Sequence, residues 1–136
     1  MSQQSSRAVG VGRVLIAVYA VLALAATARS LFQIATKFDE APVAYSLSLL
    51  AGVVYIVATV ALLGRGRAWY FVAWAAIVLE LAGVLVVGLL SLLVPALFAH
   101  PAVWSYFGIG YLFIPLVLPV LGILWLRRTR ADVEAA

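Results

Sequence analysis

Charged side chains are scarce in this sequence, and cysteine is missing altogether. Of the 136 residues only 10% are charged, whereas 67% are hydrophobic. A water-soluble domain carries roughly 25% charged residues, so this chain has too little polar surface to face water on all sides. The lack of cysteine excludes disulfides, thioether-linked haem and thiolate metal sites. The composition therefore indicates a membrane protein.

The apolar residues form four runs, each long enough to cross a bilayer as a helix of about 20 residues. The runs do not alternate as the strands of a membrane barrel do. Because the connections are short, neighbouring helices are expected to be antiparallel. We predict an all-α fold, a single four-transmembrane-helix antiparallel bundle over residues 1–136. The predicted spans are about 14–34, 43–63, 68–93 and 107–126, with flexible tails at 1–8 and 130–136.

Arginine residues are concentrated on one side of the predicted bundle. The opposite loops carry only Lys37, Asp39, Glu40 and His100. This bias follows the positive-inside rule and predicts a multi-pass protein of the cytoplasmic (inner) membrane with both termini cytoplasmic. Topology and lipid headgroups then explain the net charge of +4, and no nucleic-acid partner is needed. The arginines are Arg7, Arg13, Arg65, Arg67, Arg127, Arg128 and Arg130, and the aromatic residues predicted at the outer boundary are Phe98, Trp104, Tyr106 and Phe107.

The N-terminus has a competing interpretation as a secretory signal. Arginines precede an apolar stretch, and Ala26-Thr27-Ala28 has the pattern of a cleavage site. Cleavage there would leave a three-span protein that begins at Arg29. Apolar residues continue beyond this point with Leu31 and Phe32, so we predict the uncut four-helix form.

Glu80 is the only charged residue in the third run. An ionisable group at this depth costs at least ~2.5 kcal/mol to insert and usually marks a paired interior site or a pathway. Gly-Arg pairs begin the first and third spans, and Arg29 and Glu80 lie ~20–24 Å beyond them, a difference of only ~5 Å. Since an arginine side chain can cover this difference, we predict a buried Arg29–Glu80 ion pair.

The site around Glu80 has a structural and a functional interpretation. In the structural one, a permanent ion pair orients the first and third spans. In the functional one, Glu80 exchanges a proton or binds a cationic ligand in a pocket. Burial and a neighbouring guanidinium have opposite effects on a carboxyl group, so the sequence leaves both interpretations open. The residues of the candidate ion pair or ligand pocket are Glu80, Arg29, Gln33, Ser48, Tyr55 and Tyr111.

Pro115 and Pro119 lie inside the predicted fourth span, where each frees the carbonyl group four residues earlier. A freed carbonyl needs a hydroxyl group, water or a ligand as its partner, which gives modest support to a cavity. Small residues at four-residue spacing, such as Ala23 with Thr27 and Ala26 with Ser30, are explained by close packing of membrane helices.

The sequence contains no recognisable catalytic or metal-binding arrangement. His100 is the only histidine and has no carboxylate close to it in the sequence, so we interpret it as an interfacial loop residue. Asp39 and Glu40 are adjacent rather than helically spaced, and we interpret them as the end of the first helix before Pro42. We expect no catalytic residue, no metal, no cofactor and no enzymatic activity.

Three segments, residues 28–42, 79–88 and 103–111, resemble small integral membrane proteins that are widespread in actinobacteria. The resemblance spans residues 14–128 and implies a four-helix protein of the cytoplasmic membrane, without implying an activity. Glu80-Leu81-Ala82-Gly83 also resembles the Glu-x-x-Gly motif of DoxX-like four-helix proteins, in which the motif belongs to an earlier helix. The size and the single membrane glutamate are similar to those of small multidrug resistance transporters, whose glutamate lies in the first helix.

Three functions are compatible with these features. The first is a non-enzymatic accessory or partner-binding subunit of the membrane, in contact with the lipid bilayer and forming a homo-oligomer or part of a larger complex. The first alternative is a small proton-coupled carrier that uses the membrane-embedded Glu80. The second alternative, which rests only on the Glu80–Gly83 motif, is a DoxX-like redox accessory protein.

Overall fold

The computed structural model describes residues 3–64, 66–98 and 100–129, with side chains from residue 10 onward. Within these residues all regular secondary structure is helical, and turns or irregular residues join the helices, which confirms the predicted all-α fold. Short 3₁₀ turns join the α-helices at Phe38–Glu40, Pro95–Phe98, Ser105–Phe107 and Ile109–Tyr111. The four α-helices are α1 (Gln3–Lys37), α2 (Pro42–Leu63), α3 (Arg67–Leu93) and α4 (Ile114–Arg128).

Three segments of the described chain are long and apolar enough to cross a bilayer, namely Gly10–Glu40, Pro42–Leu63 and Arg67–Leu93. A fourth candidate is a bent pair, in which Ser105–Tyr111 meets Ile114–Arg128 at 97°. Large apolar side chains are exposed along the outer helix faces, where a bilayer would cover them. The chain is therefore a small polytopic membrane protein with three or four candidate spans.

The first helix is longer than the sequence predicted. It begins at Gln3, so the predicted flexible tail at 1–8 is replaced by helix from this residue onward. No proline interrupts residues 3–37, and the two glycines at 10 and 12 weaken a helix without ending it. Residues 1, 2 and 130–136 lie outside the described residues, and so does Arg65. The whole predicted C-terminal tail and two of the arginines used for orientation, Arg65 and Arg130, are among them.

The fourth helix is shorter than predicted, because it begins at Ile114 rather than near Phe107. Non-glycine residues on both sides of Gly108 adopt positive φ angles, among them Tyr106 (50°) and Leu112 (57°). A right-handed helix cannot continue through such residues. Pro115 was predicted inside the fourth span, but it lies in the first turn of α4, where its missing N–H is not needed.

The bent pair nevertheless extends through the whole thickness of the bundle. Phe107 packs against Gly88, near the Leu93 end of α3. At the other end of α3, the Tyr70 hydroxyl donates a hydrogen bond to the Leu126 carbonyl over 2.8 Å. Gly88 and Tyr70 are separated by ~27 Å along the helix axis. The bent pair is therefore long enough to be a fourth, broken candidate span.

Small residues allow α1 and α2 to pack closely. Ala26, Ala44, Ala51 and Ala58 have no exposed surface. A Cβ atom at Gly52 would lie 2.6 Å from Thr27 Oγ1, so the two backbones approach directly at this position. Without a hydrophobic driving force in lipid, such close contact is what holds membrane helices together.

Candidate functional site

Glu80 lies in the middle of α3 and has no exposed surface. Its Oε1 accepts a hydrogen bond of 2.6 Å from the Tyr19 hydroxyl of α1. Its Oε2 is buried and has no hydrogen-bond partner among the described residues. The carboxyl group is therefore half satisfied, and a phenol rather than a cation is its partner.

The predicted Arg29–Glu80 ion pair is not formed between these two described residues. Arg29 is exposed on α1. Its guanidinium is close enough to interact electrostatically with Tyr45, near the first residues of α2. Arg29 therefore lies apart from the carboxyl group that it was expected to neutralise.

Arg29 and Glu80 do not meet because the two Gly-Arg pairs are not at the same level along the bundle. Gly12 packs against the Trp125 ring, and the next residue of α4 accepts the hydrogen bond from Tyr70. Gly12 is thus level with Tyr70 rather than with Gly66. Arg29 is seventeen residues (~25 Å) beyond Gly12 along α1. Glu80 is ten residues (~15 Å) beyond Tyr70 along α3. The backbones of Arg29 and Glu80 therefore differ by ~10 Å in depth, which is too far for an ion pair.

Aromatic side chains surround the carboxyl group of Glu80. Trp104 Nε1 donates a hydrogen bond of 2.7 Å to the Tyr55 hydroxyl oxygen, and the two rings meet edge to face at 90°. The Tyr55 ring is also 6.3 Å from the Tyr19 ring. The Tyr55 hydroxyl interacts electrostatically with Glu80 and Tyr111. The site is therefore a buried carboxyl group next to a cluster of three aromatic side chains, Tyr19, Tyr55 and Trp104.

Residues 102–108, which we call the plug, close this site from the Leu93 end of α3. The Val103 N–H donates a hydrogen bond of 3.0 Å to Ser48 Oγ of α2. The Trp104 ring lies so close to Gly83 that a Cβ atom there would overlap it. The close packing of Trp104 therefore explains why residue 83 is a glycine. Ser48 Oγ and the Tyr55 hydroxyl oxygen of α2 already accept hydrogen bonds from the plug.

The structure brings together only some of the residues predicted for the site. Ser48 and Tyr55 are buried and bonded to the plug, and Tyr111 is half-buried beside them. Arg29 and Gln33 instead lie further along α1, toward Lys37. Tyr19 was not among the predicted site residues, and Trp104 was predicted at the membrane boundary although only 2% of its surface is exposed. A signal for Tyr19 was its place on the apolar stripe of α1, at four- and three-residue spacing from Leu15 and Leu22.

A second polar cluster lies near the Lys37 end of α1, and it gives the loop residue His100 a partner that the sequence did not indicate. His100 Nε2 is 3.6 Å from Glu40 Oε2, so a carboxylate is close in space although it is far away in the sequence. The His100 ring also stacks on the Tyr45 ring at 6.2 Å and 18°. Histidine and glutamate therefore form a specific contact between the two loops at this end.

Comparisons with protein-family models, with curated proteins and with solved structures find no match. The resemblances to the actinobacterial membrane proteins and to the DoxX-like proteins therefore stay predictions. The part of the chain that the structure describes contains no group of three or more His, Cys, Asp or Glu residues that could hold a metal ion.

Proposed function

We propose that this chain is a non-enzymatic, multi-pass protein of the cytoplasmic membrane that acts as an accessory or partner-binding subunit. The observation that carries this proposal is the closure of the Glu80 site. Ser48 and Tyr55 bond to the plug, and Trp104 fills the space over Gly83. A substrate would have to displace all of these contacts, whereas a subunit that acts through its outer surface uses them to keep its shape.

The arrangement of charges supports this membrane and orientation. Arg13, Arg67, Arg127 and Arg128 lie toward one end of the bundle, the end at which Tyr70 meets Leu126. A concentration of arginines at one end is typical of the cytoplasmic side. Both termini are then cytoplasmic, and the Glu40–His100 contact faces the other side of the membrane.

Extraction of the full chain in a lipid-preserving polymer tests the role as a subunit. We expect the protein to migrate as part of a larger assembly with a fixed stoichiometry, either with a second membrane protein or with copies of itself. The assembly should reform when the separated components are mixed again in lipid. A monomer at every protein concentration, without a partner that recurs between preparations, would contradict the proposal.

A small proton-coupled carrier is the second candidate, and one observation favours it. Oε2 of the buried Glu80 has no partner among the described residues, and no ion pair with Arg29 holds the group permanently charged. A carboxyl group in this state can take up and release a proton at membrane depth. The redox alternative gains no such support, because the packing of Trp104 accounts for Gly83 of its motif.

Infrared titration of the reconstituted protein separates the two candidates, with Glu80→Gln used to assign the carboxyl band. A carrier requires a protonated band that disappears and returns within about pH 5–9. It also requires proton movement in liposomes that Glu80→Gln abolishes. A carboxyl band that does not change over this range leaves the subunit as the function.

A further inference from the structure

We propose that the Lys37 end of the bundle holds a binding site for a phosphoethanolamine group, such as the headgroup of a membrane lipid. The site goes beyond the proposed function and shares no residue with the Glu80–Tyr19–Tyr55–Trp104 cluster. Its residues come from α1, the first 3₁₀ turn, α2 and the α3–α4 connection, and they are Arg29, Gln33, Glu40, Tyr45 and His100.

Two buried polar groups at this end have no partner among the described residues. Tyr45 has no exposed surface, and its hydroxyl group makes no hydrogen bond. Gln33 is only 7% exposed, and its Oε1 is likewise unpaired. A buried polar group without a partner carries its full desolvation penalty, so both groups gain from a ligand. Tyr45 offers a donor and Gln33 Oε1 an acceptor, so the ligand needs both functions.

Groups of opposite charge are close to Tyr45. Its hydroxyl group interacts electrostatically with Glu40 and with Arg29. Arg29 precedes Gln33 by one helical turn, on the same face of α1. A zwitterion fits this arrangement better than a group with a single charge, because a phosphate would repel Glu40 unless an ammonium group lay between them.

The chemistry of phosphoethanolamine matches these groups one by one. Its phosphate oxygens can accept hydrogen bonds from the Arg29 guanidinium and the Tyr45 hydroxyl. Its ammonium group can donate to Gln33 Oε1 and to the Glu40 carboxylate. The His100 ring covers Tyr45, but its side chain is 49% exposed, so a ligand can move it aside.

The depth of the site agrees with that of a lipid headgroup. Thr27 faces Gly52, which lies ten residues (~15 Å) from the start of α2 at Pro42. Arg29 is two residues (~3 Å) nearer to that end, so its backbone lies ~12 Å inside the end of α2. Its guanidinium is close enough to Tyr45 to interact with it, and Tyr45 is three residues (~5 Å) from the start of α2, close to where the headgroup layer begins.

Native mass spectrometry of the full chain tests this proposal. The protein is reconstituted in an equal mixture of phosphatidylethanolamine, phosphatidylglycerol and phosphatidylcholine with identical acyl chains. Phosphatidylglycerol lacks the ammonium group, and the ammonium group of phosphatidylcholine cannot donate a hydrogen bond. We expect retention of phosphatidylethanolamine to exceed that of the other two by roughly tenfold, since charge-assisted hydrogen bonds select it.

Variants assign the selectivity to the site. Tyr45→Phe and Arg29→Gln should each lower the preference to near unity, while Tyr106→Phe, which changes a partly exposed tyrosine outside the site, should keep it. Helix content measured on each variant shows that the fold is retained. Equal retention of the three lipids, a preference for phosphatidylglycerol, or an unchanged preference in both site variants would overturn the proposal. Displacement of the retained lipid by soluble phosphoethanolamine would assign the same site to a soluble ligand, and failure to displace it would assign the site to a lipid.

Discussion

The hydrogen bond from the Tyr19 hydroxyl to Glu80 Oε1 links α1 to α3 in the interior of the bundle. No water is expected at this depth in a bilayer, so each group has few alternative partners. Removing one partner leaves the other buried and unsatisfied, which costs more than the bond itself contributes. Single substitutions therefore overstate the value of this bond, and a double-mutant cycle is needed to measure it.

Tyr19→Phe is expected to lower the free energy of unfolding by ~1–3 kcal/mol, because it leaves Glu80 Oε1 buried without a partner. Glu80→Leu leaves the Tyr19 hydroxyl without a partner but also removes a buried carboxyl group with an unpaired Oε2, so its own effect is expected to be smaller. The double variant should be less destabilised than the sum of the two, because it removes both groups. Reversible unfolding in mixed detergent micelles measures this coupling, with Tyr106→Phe as a partly exposed tyrosine control. Strictly additive effects would contradict the hydrogen bond.

A second cycle tests the separation of Arg29 from Glu80. Since the two residues make no contact, Arg29→Gln and Glu80→Gln should be additive within ~0.5 kcal/mol. The same unfolding measurement applies. Coupling well above this value would restore the ion pair that the sequence suggested.

Gly83→Ala is expected to destabilise the protein by ~1–3 kcal/mol, because the new methyl group would overlap the buried Trp104 ring. In an exposed helix the same change is normally stabilising by ~0.5–1 kcal/mol. Gly10→Ala is the matched control, since no atom lies within 4 Å of the added Cβ position. Opposite signs for the two variants in thermal unfolding are the expected result, and equal stabilisation would show that Trp104 does not pack here.

At the scale of elements, the plug and the turn before α4 are held against their own backbone preferences. Tyr106, Phe107, Leu112 and Phe113 all have positive φ angles, which costs non-glycine residues roughly 1 kcal/mol or more each. The bonds to α2 and the packing on α3 offset this strain. Loss of these contacts should therefore loosen the plug before it affects the long helices.

Trp104→Phe tests this dependence, because it keeps an aromatic ring and removes the donor to Tyr55. Loss of about 1 kcal/mol should raise hydrogen–deuterium exchange in the plug by roughly fivefold to tenfold, with little change in the middle of α2. Trp69→Phe is the control at the other end of α3, where the tryptophan is 41% exposed. Equal exchange in both variants would mean that the Trp104 hydrogen bond does not hold the plug.

The sequence could not have revealed the break before α4. The run from Phe107 to Leu126 is apolar throughout, and aromatic or leucine residues give no sign of positive φ angles. Gly108, Gly110 and Pro115 are local signals, but glycine and proline also occur in continuous membrane helices. Tertiary contacts with α2 and α3 decide this geometry, and these contacts are not a local property of the run.

At the scale of the whole molecule, the sequence was sufficient for the all-α fold class but not for the pairing of side chains. The long apolar runs gave α2 and α3 to within about one residue, because any other structure would leave backbone groups unpaired in lipid. Glu80 could likewise be recognised as a buried carboxyl group. Its partner Tyr19 could not be recognised from the sequence, because the relative depth of α1 and α3 is set by side-chain packing. The contact of Glu40 with His100 joins residues that are sixty positions apart, so local sequence did not indicate it.

The number of membrane crossings follows from the position of α4 and can be tested directly. Because the chain lacks cysteine, single cysteines can be introduced without background. Pro101→Cys should react with an impermeant maleimide on intact cells, whereas Arg127→Cys should react only after permeabilisation. The reason is that Leu126 lies beside Tyr70, at the opposite end of the bundle from Pro101. Labelling of both cysteines from outside would mean that the bent pair re-enters the membrane, and the protein would then have three spans and an external C-terminus.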